Sequence, residues 1–198
     1  MPIENTRQAD FPVDPQFTAR WSPRAFSGET LDENTLLTFL EAARWAPSAF
    51  NAQPWRFLYA RRGTPDWDLY LTLVNEFNRS WAQTASAIVF ILSKTRFTPP
   101  GKSEEQDLAS HAFDAGAAWA HLALQASLSG WASHGIAGIE RDKIRETLEV
   151  PEGYVIQAGV VIGKHGDIAQ LSESLRQRET PSTRQPLSAL AFAGKFQK

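Results

Sequence analysis

Apolar and polar positions along this chain fall into two rhythms, and the switches between them give the expected element order. Leu36, Leu37, Leu40 and Ala43 recur at helical spacing behind Asp32, a capping residue followed by the acidic Glu33. Pro47 ends that helix, because its ring disfavours a helical backbone at Ala46. WRFLYAR (55–61) follows as a strand, and WDLYLTLV (67–74), beyond a Gly-Thr-Pro-Asp turn, reads as its partner strand. NEFNRSWAQTA (75–85) is predicted as a short helix, and SAIVFILSK (86–94) as a strand buried on both faces.

The stretch from Asp107 to Gly130 carries the longest helical pattern, and its many alanines and Gly116 leave a face that another helix can approach closely. That face suits a central position at a dimer interface. WASHGIAGI (131–139) reads as a glycine-containing turn, ERDKIRETLEV as a charged helix, and VIQAGVVIGK (155–164) as the last core strand. The flanks have little periodicity: residues 1–19 read as an extension over the surface, and 167–198 as an arm. The pattern predicts one α+β domain spanning 1–198.

Composition narrows the classes. There is no cysteine, which removes disulfides, thiolate nucleophiles and thiolate metal sites, and fits a cytoplasmic protein. The net charge is −2, without a long basic run, so neither nucleic acid nor a membrane surface is an expected partner. The opening segment lacks a positive start before an apolar stretch, and no window is apolar enough to span a membrane. Small-molecule chemistry is the remaining expectation. No pair of histidines has metal-ligand spacing with a carboxylate, and none of the glycine-rich nucleotide, P-loop or nucleophile-elbow motifs is present.

Three short stretches can carry chemistry. In RWSPR, Arg20, Ser22 and Arg24 can hold a phosphate, and Arg184 on the arm can add a third cation; alone, the pentapeptide also reads as a solvated basic turn. Between Pro47 and Pro54, Ser48, Asn51 and Gln53 suit the polar edge of a flat heterocycle, or simply satisfy turn amides. SHGIAGI places His134 beside two glycines whose backbone amides can donate at close range. Trp81 and Trp131 read as core residues or as platforms for an aromatic substrate.

In this order, RWSPRAF, EAARWAPSAFNAQPWRF, DAGAAWAHLALQAS, HGIAGIERDKIRETLEVPEGY, VVIGKHGD and RQPLSAL resemble the FMN-dependent nitroreductase family, from Arg20 to Leu190. The APSxxNxQPW element is the most specific part of the likeness. The resemblance implies an α/β sandwich whose mostly antiparallel central sheet is flanked by helices. It also implies a homodimer with FMN at the interface, in which each C-terminal arm adds a strand to the partner's sheet. Arg20, Trp21, Ser22 and Arg24, joined by Arg184, would hold the FMN phosphate and ribityl chain. Pro47, Ser48, Ala49 and Asn51 would reach the isoalloxazine ring from the other subunit, with Ile136, Ala137 and Gly138 at its N5 and O4 edge. The implied chemistry is ping-pong hydride transfer from NADH or NADPH to a nitroaromatic, quinone or related acceptor; a flavin-storage protein and an interaction module without FMN are the alternatives. Two departures stand out. Trp21 replaces a residue that is often polar or basic, and IAGI gives Ala137 no side chain to reach the flavin, so a hydrogen bond there must come from backbone.

Overall fold

The computed structural model describes residues 5–196. Its centre is a four-stranded antiparallel sheet of β1 (Trp55–Arg61), β2 (Ala87–Lys94), β5 (Ala132–Ile136) and β6 (Tyr154–Gly163), in the order β1-β2-β6-β5. A two-stranded hairpin, β3 (Arg96–Phe97) with β4 (Gln106–Asp107), projects beyond β2. Seven helices complete the described chain: α1 (Pro15–Ala19), α2 (Glu33–Arg44), α3 (Trp67–Thr72), α4 (Glu76–Ala82), α5 (His111–Leu128), α6 (Arg141–Thr147) and α7 (Glu173–Arg176).

The period-2 geometry of β2 builds both cores at once. Ala87, Val89 and Ile91 pack with Leu36, Phe39 and Leu40 of α2 and Ala118, Leu122 and Ala126 of α5. Ile88, Phe90 and Leu92 pack with Trp67 and Tyr70 of α3, Trp81 of α4 and Ile144 of α6. Every β2 residue from Ala87 to Ser93 is therefore buried, as its continuous apolar run predicts. The result is a three-layer sandwich, helix pair over sheet over helix layer.

Two elements differ from the sequence expectation. Residues 67–72 form α3, not a partner strand for β1; the buried Trp67 and Tyr70 stand three apart, as on one helix face. β1 pairs with β2 instead, from Trp55 opposite Ser93 to Arg61 opposite Ala87. Ala132–Ile136 is a full strand, not a turn: β5 pairs with β6 from Ala132 opposite Gly163 to Ile136 opposite Gly159. Gly135 serves packing there, because a Cβ would lie 3.1 Å from the Trp119 ring. Helix formation at 33–44, 76–82, 111–128 and 141–147 and strands at 55–61, 87–94 and 154–163 follow the expected order.

The flanks are more integrated than their weak periodicity suggests. Leu171, Leu175 and Glu179 are buried at a spacing of four, so the first part of the arm belongs to this chain's own core. From Ser182 to Phe196 the arm is exposed, apart from the half-buried Phe192. No described helix is long and apolar enough to cross a membrane.

Candidate functional site

The segment after α1 is held as a rigid loop by contacts from four parts of the chain. Arg7 donates through Nη1 to the carbonyls of Thr18 (3.2 Å) and Arg20 (2.6 Å), and through Nε to Ser182 (2.8 Å). His134 on β5 meets the Pro23 carbonyl at 2.8 Å through Nδ1. Glu179 Oε1 accepts from the amides of Arg24 (2.6 Å) and Ala25 (2.8 Å). Gly166 donates to Ala25 O at 2.9 Å, and Ser27 to Lys164 O at 3.0 Å. The GKHG turn can receive this loop because a Cβ on Gly166 would lie 2.4 Å from the Phe26 carbonyl carbon, and one on Gly163 2.5 Å from the Phe26 ring. Trp21 stacks on His165 with ring centroids 5.5 Å apart, so the indole serves as a lid on this turn.

This scaffold gathers guanidiniums. Arg20, Ser22, Arg24 and Arg184, separated by up to 164 positions in sequence, line one cleft of about 280 Å³ together with Trp21, Arg7, Arg178 and His134. Five arginines thus face one space, and among the described residues the one carboxylate paired with them is Glu179, 3.7 Å from Arg24 Nη1. Burial holds Arg20 below the usual arginine range, with repulsion from Arg184 adding to it; for Arg7, burial is followed by Arg184 and Arg20. Arg24 is lowered by burial, Glu179 opposing and Arg178 reinforcing. All remain cations at neutral pH, so the cleft stores mutual repulsion that a dianion would relieve. The hydroxyls of Ser22, Thr180 and Ser182 complete a donor set that fits a phosphate monoester.

His134 is the neutral member of this wall. Its Nδ1 faces a carbonyl, which only accepts, so Nδ1 carries the proton and Nε2 has the lone pair. Burial, the hydrogen bond to Pro23 opposing it, and then Arg24 and Arg20 pull its pKa down to about 4. The ring lies against Trp81, centroid separation 4.8 Å, and Trp81 is 1% exposed, which makes this tryptophan a core residue.

The other two groups stand outside the cleft, whose lining includes none of Pro47, Ser48, Ala49, Asn51, Ile136, Ala137 or Gly138. After α2, Phe50, Asn51 and Gln53 all have positive φ (52°, 54° and 47°), a conformation L-residues adopt at a cost. The buried Asp114 of α5 holds this loop, accepting from Ala49 N at 3.3 Å and from Ser110 Oγ at 3.0 Å. Ser48 Oγ accepts from Gln53 N at 3.0 Å and so satisfies a turn amide, whereas the exposed Asn51 side chain bonds to no described residue. At the third group, the amides of Ala137 and Gly138 likewise donate to no described residue. Gly138 O accepts from Asn75 N and Asn78 Nδ2, both at 3.2 Å, and a Cβ on Gly138 would lie 2.4–2.5 Å from the two asparagine Nδ2 atoms. α4 therefore seats its first turn on the IAG segment.

Sequence reasoning missed Arg7, Arg178, Glu179, Asn75 and Asn78. Arg7 and Arg178 carried no local motif, and Asn75 read only as the start of a helix. A usable signal was the presence of arginines on both flanks, Arg7 on one and Arg176, Arg178 and Arg184 on the other, beside the RWSPR loop.

Residues 17–66 and 64–164 match the Nitroreductase family. An uncharacterised 15.4 kDa protein of Mycolicibacterium smegmatis is 30% identical over 150 residues, which cover 71% of this chain and 97% of that protein. A crystal structure described as an oxidoreductase containing FMN superimposes with a TM-score of 0.94 at 47% identity, covering 100% of this chain and 99% of that one. A nitroreductase family protein from Clostridium difficile 630 shares the fold, with a TM-score of 0.70 at 20% identity over 94% of this chain and 100% of its own. With its sandwich, its match across most of the length and these relatives, the chain belongs to the nitroreductase family.

Proposed function

We propose that this protein is an FMN-dependent oxidoreductase, working as a homodimer, that passes reducing equivalents from NADH or NADPH to an electron-poor small molecule such as a nitroaromatic or quinone. The observation that carries this reading is the cleft of five guanidiniums around one space with three hydroxyls. Such a donor set matches a phosphate dianion, and a solvated basic turn would not half-bury Arg20 and Arg24 beside like charges. The relative whose structure contains FMN supports the same assignment.

Arg20, Ser22, Arg24 and Arg184 would hold the phosphate, with Trp21 lining the cleft beside them. The free amides of Ala137 and Gly138 would donate to the polar edge of the ring, which meets the absence of a functional side chain at Ala137. Pro47, Ser48, Ala49 and Asn51, lying away from the cleft of their own chain, would meet the ring bound by the partner, with Asn51 supplying the side chain left free for it. Ile136 is 4% exposed and would set the floor beneath that edge. FMN held there would supply the hydride-transfer chemistry. The chain then needs no acid–base dyad of its own; its work is to fix the cofactor, exclude water around it and place donors where negative charge develops.

Anaerobic mixing of the FMN-loaded protein with NADH or NADPH tests the reading. Bleaching of the flavin absorbance near neutral pH is expected with at least one nucleotide, followed by recovery on adding a quinone. A flavin that stays oxidised with both would replace the enzyme by a flavin-storage protein.

A further inference from the structure

We infer that Glu179 is a positioning residue that joins the two walls of the arginine cleft into one anion receptor, through the reach of its side chain and not through its charge. The inference rests on the reading of the cleft as a phosphate site. One wall is the Arg20–Arg24 loop near the start of the chain; the other is Arg178–Arg184 on the arm, and Glu179 is 155 positions from Arg24. Glu179 is 2% exposed, its Oε1 takes two consecutive amides at 2.6 and 2.8 Å, and its buried Oε2 lies 3.7 Å from Arg24 Nη1 with no hydrogen-bond partner among the described residues.

The charge alone does not account for a carboxylate here. It pairs with Arg24 at 3.7 Å, but it also repels an incoming dianion, and burying Oε2 without a hydrogen bond carries a desolvation cost. Geometry gives the compensating role. Leu171, Leu175 and Glu179 descend one face of the arm into the molecule, and Glu179 is the last buried residue before the exposed tail. Its neighbours Arg178 and Thr180 both line the cleft, so anchoring Glu179 sets them there. On the opposite wall, a single oxygen shared by the amides of Arg24 and Ala25 fixes the backbone from which the Arg24 guanidinium projects. The tie from Arg7 Nε to Ser182 O uses a cation that a bound phosphate competes for, whereas Glu179 is absent from the cleft lining and keeps its contacts when the cleft is filled.

Two variants separate reach from charge, with FMN and riboflavin as probes, their affinities read by flavin fluorescence quenching and folding checked by thermal unfolding. Glu179→Asp keeps the charge but is one methylene too short to serve both amides. FMN should bind on the order of tenfold more weakly, the scale of one lost charge-assisted hydrogen bond, with riboflavin affinity unchanged. Glu179→Gln keeps the accepting oxygen and removes the charge, and FMN should bind at least as tightly as to the native chain. A native FMN-to-riboflavin ratio in the Asp variant, or a ratio in the Gln variant that falls as far as in Asp, overturns the inference. Equal affinity of the native chain for the two flavins would instead overturn the phosphate reading and take this role with it.

Discussion

His134 sits among five guanidiniums as a neutral ring, and that protonation state ties fold stability to pH. Its pKa is about 4 in the folded chain, first because of burial, against the ordinary 6.5 of an unfolded histidine. The folded state therefore binds fewer protons than the unfolded state between these two values. Stability is fully present above pH 6.5 and is lost as the pH falls toward 4. Between pH 7 and 4.5 the loss attributable to this ring should be about 2 kcal/mol. Urea unfolding of the native chain and of His134→Asn, which can still donate to Pro23, checks this: the native curve should drop further by that amount, and parallel curves would show that His134 is not held neutral. At this scale the sequence was legible where chemistry is local. Arg20, Ser22 and Arg24 share one pentapeptide, and Arg184 stands out on the arm. Arg7 and Glu179 were not legible, because their partners are backbone carbonyls and amides, which leave no trace in residue type.

Among the elements, the Arg20–Arg24 loop depends most on the turn after β6. The GKHG segment after β6 lies so close to Phe26 that Gly166 has no room for a side chain: a Cβ would stand 2.4 Å from the Phe26 carbonyl carbon and 2.7 Å from Ser27 N, both backbone atoms. Gly166→Ala should destabilise the chain by roughly 3 kcal/mol, since overpacking against backbone cannot relax by a rotamer change. Gly153→Ala, at a turn glycine with nothing within 4 Å, bears only the strain of its φ of 81°, and its expected loss is smaller. Calorimetric melting of the two variants checks the ordering. Elements with an unambiguous period were readable: β2 by its continuous apolar run, α2 by its stripe and its Asp32 cap, which accepts from Thr35 N at 3.0 Å. The misread ones have separate causes. α3 is only six residues long and rich in aromatics, too short for 3.6-residue periodicity to outweigh strand-like composition. In β5, Gly135 looked like a turn residue because the reason for it, the Trp119 ring of α5, lies 16 positions upstream in sequence.

For the molecule as a whole, the question is which chain completes which site. Phe11, Phe17, Trp45, Phe50 and Phe113 are all more than half exposed, and the arm from Ser182 onward leaves its own core, a surface that suits an extensive contact with a second copy. Among the described residues β1 is an edge strand, a side open to strand addition. If Asn51 serves the partner's cofactor, each site is made of an arginine half from one chain and an asparagine half from the other. Two inactive variants then complement. Arg20→Ala combined with Arg184→Ala removes the first half, at about 1.5–3 kcal/mol per lost charge-assisted contact, and Asn51→Ala removes the second. After unfolding and refolding together in equal amounts, half of the dimers are mixed, and each mixed dimer has one site with both native halves. About a quarter of all sites should then regain native FMN binding and NAD(P)H-dependent flavin reduction. If the loop instead touches the cofactor of its own chain, every site in the mixture carries one damaged half, and refolding together restores nothing. Because each variant's defect is measured separately beforehand, the recovery is read directly as the fraction of sites built across the interface.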